Sequence, residues 1–217
     1  MPCNNKQCQH DYNSLLKQSI WALLQCLEAR DAYTFGHSMR VMQYALLIAR
    51  GAQLSPSEMQ VVEWAAVFHD IGKIGVSDCV LRKESRLNSE ERQEIRSHPK
   101  FGFEVINLIE PLKQAAIGIL HHHERIDGKG YPSGTKFIPL ASRVILVADT
   151  FDAMTSTRPY RNALPIETAY EELERYSGKQ FDHDLVQIFI RAHQTLYEQS
   201  FEVPESNEVD IVKKQAA

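Results

Sequence analysis

The stretch SPSEMQVVEWAAVFHDIGKIG, residues 55–75, decides how the rest of the chain is read. Ser55 followed by Pro56 has the form of a helix N-cap with proline at the first helical position. The apolar residues beyond it recur with helical rather than alternating spacing and predict a helix running to about Ile71. WAAVF reads as a buried segment. His69 and Asp70 follow it directly, and the glycines of IGKIG end the helix just after them. An ionised aspartate is costly to bury without a cation or a partner, so a metal would make this position tolerable. Lys73, four residues after His69, falls on the same helical face. It would set a cation beside that site, within reach of a phosphate oxygen.

The same periodicity extends outward in both directions. Leu15, Leu16, Ile20, Leu23, Leu24 and Leu27 form one stripe; Val41, Ala45, Ile48 and Ala49 form another after Thr34. Ser89 with Glu90 and Glu91 predicts a helix start, with a stop before Pro99. Further helices are expected over about 111–123, 139–155, 166–176 and 182–199, the last capped by Asp182. Alternation with period two is scarce, so the fold class is all-α. One compact helical bundle domain is expected over residues 13–203, between a flexible N-terminal arm (1–12) and a polar C-terminal tail (204–217). The conspicuous irregular stretch, Arg125 to Ile138, is punctuated by Asp127-Gly128, Gly130, Pro132 and Gly134. Loops of this kind are often functional when a rigid scaffold holds them.

Composition narrows the partners. Among 217 residues, 24 Lys and Arg stand against 28 Asp and Glu, a formal charge of −4. That lacks the basic excess of a surface for polymeric nucleic acid. Any grip on phosphate must come from a few locally placed cations. Cys3, Cys8, Cys26 and Cys79 form no CxxC pair, which argues against a zinc knuckle or a disulfide scaffold. The start, MPCNNKQCQHDYN, lacks the apolar core of a signal peptide, and no uncharged apolar run approaches the ~20 residues a membrane span needs. A soluble, cytoplasmic protein is expected.

Metal-ligand side chains recur along the chain: His37, the pair His69-Asp70, His98, the run His121-His122-His123, and Asp149. Most lie near the end of a helix that is otherwise apolar on one side. Proline disfavours helical geometry for the residue before it, so His98 is expected as the N-cap of a helix beginning at Pro99. The triple histidine ends a helix whose apolar face includes Ile117 and Leu120. Asp149 is embedded in RVILVADTFDAM. Any one of these alone is more often a satisfied core group than a ligand, and His10, His183 and His193 are read as capping, surface or packing residues. Asp31 and Asp152 read as caps or as supports for ligands. Taken jointly, the set would require several independent buried polar accidents. Imidazoles and carboxylates without thiolate suit Fe, Mn, Ni or Zn.

The segments YTFGHSMRV (33–41), HDIGKIGVSD (69–78), HPKFG (98–102), HHHERIDGKGYP (121–132) and VADTFDAMTSTRPYR (147–161) together resemble the HD-GYP family, a branch of the HD superfamily of metal phosphohydrolases. The resemblance covers roughly Asp31 to Phe189. It implies seven or more helices around a two-metal centre that opens cyclic di-GMP to linear pGpG, with a slower second cut to GMP left open. By position, Asp70 would bridge both ions. His37, His69 and Asp149 would complete one set, and His98, His122 and His123 the other, with Fe or Mn favoured and Ni or Zn found in preparations. His121 fits less well. Relatives with a third metal carry glutamate where this chain has Tyr33, so two metals are expected. Lys73, Arg158 and Arg161 match positions that grip phosphate, with Lys73 and Asp70 catalytic. Gly130, Tyr131 and Pro132 would line the substrate mouth and offer a surface to signalling proteins. Rival readings are an HD hydrolase for other nucleotides, cyclic GMP-AMP as substrate, and a non-catalytic binding module. The first stripe, with Trp21, could pair two copies as a homodimer. Only about 30 residues precede Tyr33, so no sensor domain is expected before the core, and regulation stays open.

Overall fold

The computed structural model describes residues 34–83, 85–157 and 162–201, with Gln18, Ala22 and Gln25. The arm, the tail, the Leu15–Leu27 stripe, Asp31, Tyr33, Arg158 and Arg161 lie outside the described residues.

Helix α1 (Thr34–Gly51) buries Val41, Ala45, Ile48 and Ala49 completely, the stripe read from spacing. Helix α2 (Pro56–Phe68) opens on the anticipated cap. Ser55 Oγ accepts the Glu58 amide, and the Glu58 carboxylate accepts from the Ser55 amide and hydroxyl, a reciprocal box that satisfies two otherwise orphaned donors. The helix stops at Phe68, short of Ile71, because the chain tightens into a 3₁₀ turn over Ile71–Gly75. Gly72 shows why: a β-carbon there would stand 1.9 Å from the carbonyl oxygen of His98. The turn presses directly on the chain that carries the next histidine, and Lys73 therefore follows a turn rather than an α-helical face.

After the short α3 (Asp78–Leu81), α4 (Ser89–Arg96) starts at Ser89 as expected, capped by Asn88 in a second reciprocal box with Glu91. Helix α5 (His98–Ile106) starts one residue earlier than expected. Ser97 is its N-cap and His98 its first residue; Pro99 sits in the first turn, where its missing N–H is no loss. A 3₁₀ turn (Glu110–Leu112) leads to α6 (Lys113–Leu120), followed by α7 (Leu140–Thr155), α8 (Ile166–Arg175) and α9 (His183–Phe201). Asp182 accepts the amides of Asp184 and Leu185, as expected of an N-cap.

Helix α7 is the central element. Ala141, Val144, Ile145, Val147, Ala148 and Phe151 are buried, and it packs against α1, α2, α6 and α8. His193 packs among Tyr44, Phe151 and Phe189 and shares a hydrogen bond with Tyr170, the packing role anticipated for it. Among the described residues no strand forms; Ser177 and Phe181 make one isolated bridge. None of these helices is long and apolar enough to cross a membrane.

Candidate metal centre

The helices deliver the candidate ligands to one place. His37 comes from α1, His69 and Asp70 from the end of α2, His98 from the start of α5, His122 and His123 from just beyond α6, and Asp149 from α7. His37, His69, Asp70, His98 and His122 are all buried. They form two groups. In one, the Nε2 atoms of His37 and His69 are 3.3 Å apart, and Asp149 Oδ1 is 3.3 Å from His37 Nε2. In the other, the Nε2 atoms of His98 and His122 are 3.2 Å apart, with the His123 ring 4.0 Å from that of His122.

Asp70 lies between the groups. Its Oδ2 is 3.4 Å from His69 Nε2 and 3.8 Å from His37 Nε2, while Oδ1 is 3.4 Å from His98 Nε2. The donor atoms of His37, His69 and Asp70 all fall within 4.8 Å of one another, as do those of His98, His122 and His123. Lys73 Nζ stands 2.7 Å from Asp70 Oδ2.

Hydrogen bonds behind the rings fix which nitrogen faces inward. His69 Nδ1 donates to the Ala66 carbonyl, His98 Nδ1 to Ile95 and His122 Nδ1 to Ile119, at 2.8, 2.7 and 2.6 Å. His37 Nδ1 donates to Asp152 Oδ2 at 2.7 Å, and Asp152 is held in turn by Arg40. Each Nδ1 thus carries a proton, which leaves each Nε2 facing the centre as the nitrogen that would take a metal. Facing lone pairs just over 3 Å apart repel, so a cation between them is what this donor set fits.

Electrostatics separate the two groups. Burial opposes charge on His37, yet Asp149 and Asp152 outweigh it and lift the pKa to about 10. Burial, reinforced by neighbouring imidazoles, pushes His122 well down and His123 to about 3; it also lowers His98. Burial works against the charge on Asp70, but Lys73 and His69 hold its carboxyl well below the usual range. For Asp149 burial is likewise outweighed, here first by the hydrogen bond from His37.

The loop beyond α6 closes over the second group. Tyr131 stacks on His123 with ring centroids 4.6 Å apart, and its amide donates to the His123 carbonyl. A β-carbon on Gly130 would lie 2.5 Å from the backbone of residues 123–125, so the loop is pressed onto the chain that carries the histidines. Pro132 follows Tyr131 through a cis peptide bond. Asp127 pairs with Arg125, and its amide donates to the Lys179 carbonyl, which straps the outer part of the loop to the chain before α9. His121 stays apart from the donor groups, its Nδ1 3.9 Å from Glu124.

Three supporting residues escaped the reading of the sequence. Buried Glu124 accepts the Ser133 amide and hydroxyl and the Gly134 amide on one oxygen. Its place directly between the histidine run and the loop was the available signal. Arg40, one turn beyond His37, braces Asp152; helical spacing places it there. Arg96 lies over the Tyr131 ring, its guanidinium carbon 5.1 Å from the centroid. No pattern in the sequence marks it out.

A sequence model of the HD domain matches residues 22–185, about three quarters of the chain. The chain belongs to the HD domain family. Among relatives of this HD domain, a Thermotoga maritima protein named cyclic di-GMP phosphodiesterase is 38% identical over 185 residues, covering 83% of this chain and 50% of the relative. A Vibrio cholerae protein named 3′3′-cGAMP-specific phosphodiesterase 3 is 33% identical over 198 residues, covering 90% and 43%. The chain therefore spans about half the length of the curated relatives it matches. A crystal structure of the V. cholerae cyclic GMP-AMP specific phosphodiesterase V-cGAP3 shares the fold, with a TM-score of 0.57 at 23% identity over 80% of this chain and 47% of that one.

Proposed function

We propose that this HD domain is a cyclic dinucleotide phosphodiesterase of the HD-GYP type, opening cyclic di-GMP to linear pGpG. One observation carries the reading: the buried Asp70 carboxylate turns one oxygen toward each of two groups of inward-facing imidazoles. His37, His69 and Asp149 would hold one divalent ion with Asp70, and His98, His122 and His123 the other. Fe or Mn suits this donor set, with Ni or Zn as substitutes. Bound there, such ions supply Lewis-acid polarisation of a phosphoryl oxygen and an acidified water.

The chain's own residues do the rest. Asp152 and the backbone carbonyls behind His69, His98 and His122 fix ring orientation. Lys73, beside Asp70, offers its ammonium to the non-bridging oxygens of a phosphodiester. Tyr131, on its stack against His123, forms one wall of the approach, with Gly130 and Pro132 shaping that mouth. Arg158 and Arg161 would add phosphate contacts, and the loop would also be the surface offered to signalling proteins. The reading includes a cytoplasmic setting and a homodimer through the N-terminal stripe.

The Thermotoga relative's name supports cyclic di-GMP as substrate; the Vibrio relative's name supports a second reading, cyclic GMP-AMP. Anaerobically purified, metal-loaded protein incubated with each dinucleotide, followed by chromatography, decides. The proposal predicts pGpG from cyclic di-GMP at the higher rate. Faster opening of cyclic GMP-AMP would establish the second reading. Folded protein that takes up neither Fe nor Mn and opens neither dinucleotide would leave a non-catalytic binding module.

A further inference from the structure

Helix α4 carries two arginines and three glutamates, of which Glu91 and Glu94 are engaged elsewhere and Glu90 is exposed. Glu91 accepts from Lys83 and Asn88, and Glu94 accepts the Ser77 amide. Arg92 and Arg96, one turn apart, form no ion pair among the described residues. With Ser89 and Gln93 they line an open polar hollow of about 450 Å³. Arg92 is steadied by a hydrogen bond from Nε to the Asn88 carbonyl, and Arg96 by its position over Tyr131. The His123 ring stacks on Tyr131, and the guanidinium of exposed Arg96 lies over the same Tyr131 ring, so Tyr131 links the candidate centre to Arg96.

From this geometry we infer that Arg96, backed by Arg92, is the contact for the second phosphodiester of a cyclic dinucleotide, the one not being cut. The inference rests on the substrate reading above. Such a ring carries two anionic phosphodiesters, and when one enters the centre the other must lie to one side. A guanidinium whose carbon sits over an aromatic ring can still offer N–H groups to phosphate oxygens. On a chain of net charge −4, two arginines that form no ion pair among the described residues, one of them over the ring that stacks on His123, are placed where an anion gains most. Phosphate, unlike a base edge, is common to every cyclic dinucleotide. This contact therefore sets affinity for the class, and base preference must come from elsewhere.

The test compares metal-loaded wild type with Arg96→Ala, Arg96→Lys and Arg92→Ala on three substrates: cyclic di-GMP, cyclic GMP-AMP and the single diester bis(p-nitrophenyl) phosphate. Losing a charged hydrogen bond should raise KM for both cyclic dinucleotides roughly tenfold in Arg96→Ala, with a smaller change in kcat. Arg96→Lys should recover part of the loss, and Arg92→Ala should show a weaker version of it. The penalty on the cyclic dinucleotides should exceed that on the single diester about tenfold. Equal penalties on all three substrates would mean that Arg96 only steadies Tyr131 and would overturn the inference. So would no penalty, or a penalty on one dinucleotide alone. Wild type that cuts the single diester but neither dinucleotide would remove the substrate reading itself, and the inference with it.

Discussion

Two imidazole lone pairs just over 3 Å apart repel unless a cation or a proton lies between them. In this chain the two pairs meet that condition differently. His37 keeps a proton up to about pH 10 through Asp149 and Asp152, so a metal at its Nε2 must displace one. The other group is neutral and ready, with His123 ionising only near pH 3. This gives metal-free protein a definite pH response. The unfolded chain protonates His123 near pH 6.5 and the folded chain only at about 3, so between those values the unfolded state holds more protons. Stability is therefore present above pH 6.5 and is lost as pH falls toward 3. His37 acts in the opposite sense: its contribution is present below pH 6.5 and is lost as pH rises toward 10. Urea unfolding of EDTA-treated protein should show lower stability at pH 5 than at pH 7, and His123→Gln should flatten that slope. A slope unchanged in His123→Gln would contradict the assignment.

At the scale of elements, the site depends on short connections that press turns onto helix ends. The 3₁₀ turn at Ile71–Gly75 and the loop after His123 both approach so closely that only glycine fits, at Gly72 and Gly130. Buried Glu124 anchors the loop through three bonds on one oxygen. Glu124→Ala would leave the Ser133 and Gly134 donors without that acceptor, costing about 1–3 kcal/mol. The expected signs are a lower thermal midpoint and faster amide exchange at Tyr131, Ser133 and Gly134; a variant with wild-type exchange there would show that the loop is held by other means. Helix spacing and caps were legible because they are local: Ser55 before Pro56, the α1 stripe and Asp182 follow from neighbours within one or two turns. The early stop of α2 and the start of α5 at His98 were not. Both are set by contact between Gly72 and the His98 carbonyl, 26 positions apart, which no local rule contains.

For the whole molecule, the fold gathers side chains spread from residue 37 to residue 149 around α7 and the ends of α2 and α6. The gathered histidines and aspartates were legible because buried polar groups on apolar helices are expensive and so stand out in sequence. Their supports were not: Arg40 and Arg96 look like ordinary surface cations until the packing shows Asp152 behind one and Tyr131 beneath the other. The central claim is that Asp70 ties two cation sites into one centre. Its most direct test is anomalous scattering from crystals of metal-loaded wild type and Asp70→Ala. Wild type should show two peaks, one beside His37, His69 and Asp149 and one beside His98, His122 and His123, each contacted by an Asp70 oxygen, and both should weaken together in the variant. Peaks absent from these residues, or two full peaks in Asp70→Ala, would contradict it.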